Sequence, residues 1–195
     1  MQITSLLTFA LSGLSLALPS PNTDNNDLRS RQLPDFEPNG PEFRLQTKLV
    51  NANDSTKAKF SGLYLSSYHT GAGLSDAVFI ANETRGVKAF LNETVPATAP
   101  GGRLEFDFGN DFPWGLTLGY QSYAKWSPVT INAGIGDAGY IYGDKGLVYN
   151  QTQFSGWMVC DWWHNVPQLF WLMSVPGAFD IPSSCAEVQL LKTNV

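Results

Sequence analysis

The chain has 195 residues, a formal net charge of −5 and only 12 lysines and arginines. No basic cluster interrupts that acidic balance, which excludes nucleic acid as a partner, because phosphate binding asks for clustered Lys and Arg. The length allows one folded domain of ordinary size once terminal non-structural segments are set aside.

Residues Ile3 to Leu11 open an apolar, uncharged run that continues through Leu14, Leu16 and Ala17. It is too short to span a bilayer comfortably. Small residues at Ser15 and Ala17 stand where a signal peptidase reads, so residues 1–17 are expected to be a signal peptide cleaved after Ala17. The expected location is therefore secreted and extracellular. No later stretch is apolar for long enough to anchor the chain, so no membrane partner is expected. Residues 18–41 are rich in Pro, Asn, Asp and Ser and are read as a disordered linker or pro-segment. Arg29-Ser30-Arg31 offers a processing site there. Residues 42–195 form the expected domain.

That domain reads as all-β. Phe43 to Leu49 alternates apolar and polar, the signature of a half-buried strand. Further short strands are predicted at Phe60–Tyr68, Ala77–Ile80, Arg103–Phe108, Gly115–Tyr120, Pro128–Asn132, Tyr140–Tyr142 and Gly146–Tyr149. Trp157–Trp163, Leu169–Met173 and Ala186–Leu191 complete the set. Gly, Asn, Asp or Pro punctuates nearly every gap. About ten short strands at this spacing predict a single-domain antiparallel sandwich or barrel. Ala81 to Leu91 leaves room for a short helix.

Four sequons, at Asn53, Asn82, Asn92 and Asn150, agree with export and mark candidate N-glycosylation sites. A glycan cannot be buried, so each is expected on an exposed turn. Two cysteines in an exported chain predict one structural disulfide, Cys160 to Cys185.

The stretch from Gly156 to Trp171 holds four of the six tryptophans. Trp157, Val159, Asp161 and Trp163 share one strand face; Met158, Cys160, Trp162 and His164 share the other. Both faces are largely apolar, which predicts a central hairpin covered on both sides, turning at His164–Pro167. An exposed indole would instead stack on a sugar ring. Trp162, Trp163 and His164 are accordingly the candidate ligand-binding residues. Asp161, a carboxylate among tryptophans, needs a partner: Arg44, Arg103, the His164 ring or backbone N–H groups.

Most chemistry is eliminated. Gly134 to Gly139 spells G-x-G-x-x-G, but strand-like Tyr140-Ile141-Tyr142 follows where a dinucleotide site needs a helix. There is no G-x-S-x-G elbow and no phosphate loop. His69 and His164 have no second His at ligand spacing, so no metal and no cofactor is expected. Asp137 and Asp144 lie in Gly-rich turns without a calcium-loop motif. A glycoside hydrolase would need two carboxylates facing one groove; Glu105, with Asp161 or Glu187, is the best pair available.

Leu63 to Val78, Phe112-Pro113-Trp114-Gly115, Trp126 to Gly134, the Trp hairpin and Ile181 to Leu191 resemble the blocks of a family of small secreted fungal (ascomycete) proteins of unknown function. The resemblance spans Pro41 to Lys192. It implies origin and secretion and supplies no mechanism. The expected function is a secreted, disulfide-stapled, non-enzymatic β-protein whose partner is a cell-wall polysaccharide or a host protein. The alternatives are a glycoside hydrolase and an effector or elicitor recognised by a host protein.

Overall fold

The computed structural model describes residues 40–93, 101–110, 112–120, 125–176 and 180–195. The expected signal peptide and nearly all of the expected linker lie outside the described residues.

Among the described residues, twelve antiparallel strands make up the fold. They are β1 (Phe43–Leu49), β2 (Tyr64–Gly71), β3 (Leu74–Ile80), β4 (Lys88–Asn92), β5 (Gly102–Asp107) and β6 (Trp114–Leu118). β7 (Trp126–Ala133), β8 (Ala138–Gly143), β9 (Gly146–Tyr149), β10 (Phe154–Asp161), β11 (Pro167–Met173) and β12 (Cys185–Asn194) follow. Between sandwich and barrel, the structure is a barrel. Nine strands close in the order β1, β4, β5, β6, β7, β3, β11, β10, β12 and back to β1. β2 pairs with β1 and β3, and the β8–β9 hairpin extends from β5. Closure removes the open edges that a sheet of this size would otherwise expose.

Alternation puts the core inside. In β1, Phe43, Leu45, Thr47 and Leu49 are buried while Arg44, Gln46 and Lys48 are not. Ser127, Val129 and Ile131 do the same in β7. With Phe79, Leu104, Phe106, Leu116, Trp157, Leu169 and Trp171 they fill the main core. Two indoles sit in it without an orphaned N–H: Trp157 Nε1 donates to the Leu147 carbonyl and Trp171 Nε1 to the Gly119 carbonyl.

β10 is buried on both faces, as its sequence predicted. Trp157 and Val159 face the main core; Met158 and Cys160 join Phe170, Leu172 and Cys185 in a second cluster on the outer side. Cys160 and Cys185 stand directly opposite each other on β10 and β12 and are joined by the disulfide.

Three local elements differ from what the sequence pattern predicts. β4 was not foreseen; it follows a 3-10 turn at Glu83–Arg85, and its ladder to β5 compensates for its brevity. Residues 55–60 form a second 3-10 turn, so the next strand starts at Tyr64 rather than Phe60. β10 ends at Asp161, which pairs with Pro167, so Trp162 and Trp163 leave the strand and enter the turn. Asn165 closes that turn at φ 58, a left-handed conformation that Asn tolerates better than most residues.

Candidate functional site

The turn after β10 folds over the outer face of β3, β11 and β7. Alternation sets what that face presents. Gln168 lies opposite Val78, Phe170 opposite Pro128, and Asp76 opposite Thr130. Trp126, two residues before Pro128, continues the same face. Trp162 and Trp163 descend from the turn onto it, and a cleft of about 350 Å³ opens between them and the strands.

Its apolar wall is an edge-to-face aromatic cluster. Trp126 meets Phe170 at 5.3 Å, Trp162 meets Phe170 at 5.2 Å, and Trp126 meets Trp162 at 6.0 Å between centroids. This is the geometry that ring quadrupoles prefer. Phe170 is buried, Trp126 half-buried, and Trp162 remains 41% exposed.

The second wall is a stack. The His164 ring lies between Tyr68 and Trp163, each centroid 3.9 Å away. His164 Nε2 and Asp76 Oδ2 are hydrogen-bonded at 2.7 Å, with both side chains mostly buried. An imidazole backed by a carboxylate is fixed in its plane, and it fixes the two rings against it. Trp163 is nevertheless 71% exposed, the most exposed large apolar side chain among the described residues, and Tyr68 is 42% exposed. Gln168 forms the polar base. It is 2% exposed, and its side-chain carbonyl has no hydrogen-bond partner. A buried polar atom left unpaired costs about 1–3 kcal/mol.

Of the expected ligand-binding residues, Trp162 and Trp163 line this cleft; His164 does not, and its imidazole lies behind Trp163. Asp76, Gln168, Tyr68 and Trp126 were not foreseen. Gln168 carried a legible signal: it is the one polar residue in the apolar run from Val166 to Met173.

The three carboxylates nominated for hydrolysis occupy different surroundings, and the cleft holds none of them. Asp161 is exposed and pairs with Lys59, a partner the sequence did not suggest. Arg44 and Arg103, two of the alternative partners considered for it, donate to the carbonyls of Gly86 and Gly136 instead. Glu187 is exposed on β12, beside a separate groove near Val50 and Pro182. Glu105 is buried; its Oε2 accepts from Asn92 Nδ2 at 3.2 Å. Burial pushes its carboxyl above the usual carboxylate range, against the opposing pulls of the Asn92 hydrogen bond and the Arg103 charge.

A carboxyl whose folded pKa exceeds its unfolded one destabilises the fold once pH passes the unfolded value, fully so above the folded value. Glu105→Gln keeps the shape and an acceptor for Asn92 while removing that charge. It is expected to raise the melting temperature by a few degrees at pH 7, with the gain fading toward pH 3. Equal melting temperatures at pH 7 would contradict this.

Among the described residues no group of three or more His, Cys, Asp or Glu is arranged to hold a metal ion, and no helix is long and apolar enough to cross a membrane. Asp137 is occupied by the Leu118 backbone N–H. The G-x-G-x-x-G segment runs into β8, a strand.

Residues 40–194 match the family described as Domain of unknown function (DUF7907). The chain belongs to this family. The match covers the whole barrel and agrees with the expectation of an uncharacterised family over Pro41–Lys192. No curated protein and no solved structure matches the chain. That description names no function, so function rests on the geometry of the cleft.

Proposed function

We propose that this chain is an exported, non-enzymatic β-barrel that binds glycan, with cell-wall polysaccharide as its ligand and the outer cleft as its site. The observation that carries the reading is Trp163, held 71% exposed on a fixed imidazole beside Trp162 and a buried amide whose carbonyl has no partner. Large aromatics are normally used to fill cores. One kept in water and braced from behind supports a flat platform for the apolar face of a sugar ring. The surrounding cleft falls in the size range of small-ligand sites, mostly apolar with few polar groups.

A polysaccharide pull-down and a glycan array with the secreted protein test this directly. Retention on at least one of chitin, glucan or mannan is expected, with loss on Trp163→Ala. No binding to any of them would sink it.

Export also bears on the sequons. Asn53, Asn82 and Asn150 are exposed, and Asn82 already accepts from the Thr84 backbone N–H and hydroxyl, leaving its amide nitrogen clear of that turn. Asn92 is not on an exposed turn: it lies half-buried in β4 with its amide directed at Glu105. Peptide mapping of the secreted protein is expected to find glycan at Asn53, Asn82 and Asn150 and none at Asn92. An occupied Asn92 would refute that ordering.

A further inference from the structure

Resting on the glycan reading, we infer that the cleft selects a sugar residue bearing an acetamido group, an N-acetylhexosamine, over a plain hexose.

A hexose presents hydroxyls around its rim and asks for many polar partners. Here the lining is dominated by Trp126, Pro128, Trp162 and Phe170, and only Asp76 and Gln168 are polar. The two polar groups are both unfinished. Asp76 spends Oδ2 on His164, leaving Oδ1 as an acceptor. Gln168 has an amide with an unpaired carbonyl, and a half-turn of that amide exchanges its donor and acceptor ends. An acetamido group matches this set in one unit. Its N–H meets a carboxylate oxygen or the Gln168 carbonyl, its carbonyl meets the Gln168 NH₂, and its methyl lies on the Phe170–Pro128–Trp126 floor. A hydroxyl in the same place donates and accepts from a single atom, spans the two partners less well than an amide whose N–H and C=O diverge, and brings no methyl to the apolar floor.

A site that hydrogen-bonds one substituent discriminates strongly against an analogue lacking it, because its own buried groups then stay unpaired. Trp162 and Trp163 supply the sugar-ring contact that any hexopyranose would share. Preference therefore resides in Gln168 and Asp76, and general affinity in the indoles.

The test compares three β-1,4-linked tetramers of identical backbone by calorimetric titration: N-acetylglucosamine, glucose and glucosamine. The N-acetylglucosamine tetramer is expected to bind at least about tenfold tighter than the glucose tetramer, as one unpaired buried polar group implies. Gln168→Met is expected to remove about that tenfold preference, the N-acetylglucosamine tetramer losing more affinity than the glucose tetramer; a thermal melt establishes that the variant is folded, and if it is not, the wild-type ranking decides alone. Equal or tighter binding of the glucose tetramer overturns the inference and leaves the glycan reading standing. Tightest binding of the glucosamine tetramer overturns it in favour of an ammonium-selective cage. Failure of all three, with no binding on the array, removes the glycan reading itself and this inference with it.

Discussion

Replacing both Cys160 and Cys185 by alanine is expected to cost about 3–4 kcal/mol and to lower the melting temperature by roughly 10 °C. The bridge closes a loop of 25 residues, and loop-closure entropy alone supplies that magnitude. What lies inside the loop matters as much as its length. It contains the exposed turn and all of β11, whose residues contribute to both apolar clusters. Cys160 and Cys185 are directly opposed across β10 and β12, with Cα atoms 3.9 Å apart, so the crosslink fixes the register of the ladder that β11 joins. Both sulfurs are buried among Met158, Phe170 and Leu172, with Trp126 and Ile181 packed against them. Their removal therefore also leaves unfilled space beneath the aromatic wall of the cleft. Differential scanning calorimetry of the double variant against the natural chain checks this. A shift of under about 3 °C would show that the bridge is incidental to stability.

The barrel was legible wherever one face of a strand is buried and the other is wet. β1 and β7 alternate cleanly because they have one such face each, and β9 was placed to the residue by its Gly and Tyr boundaries. β4 escaped because its five residues put Ala89 and Phe90 side by side, both buried, so no period of two survives. Closure was beyond reach for a different reason. It depends on single bridges, such as Gln168 to Val78 and Asp76 to Thr130, that join strands distant in sequence. The cleft was half legible. An indole-rich hairpin is visible in any reading, and so is the lone Gln168 within an apolar strand. Whether Trp162 belongs to the strand or to the turn reverses its exposure, and that hangs on one pairing, Asp161 with Pro167. Asp76 was hidden because it comes from another strand and meets His164 only in three dimensions.

Trp163→Ala and His164→Ala are expected to separate the platform from its support. Trp163 is largely in water, so its loss should change stability by no more than about 0.5 kcal/mol. Its loss should nonetheless weaken glycan binding at least about thirtyfold, the roughly 2 kcal/mol typical of a truncated aromatic anchor. His164 behaves differently. Removing the imidazole takes away the ring between Tyr68 and Trp163 and leaves the mostly buried Asp76 Oδ2 without its partner. Stability should fall by about 1–3 kcal/mol. Affinity should fall as well, because the indole then has nothing behind it and must be ordered by the ligand itself. Asp76→Asn supplies the control. Its amide carbonyl can still accept from an imidazole N–H, so the stack and most of the stability should survive, and only what the carboxylate gives the ligand is lost. Thermal melts and titration with a bound polysaccharide fragment read both quantities for each variant. Unchanged binding by Trp163→Ala would remove the platform from the site. A His164→Ala protein that is less stable yet binds as tightly would show that the imidazole holds the fold and not the indole.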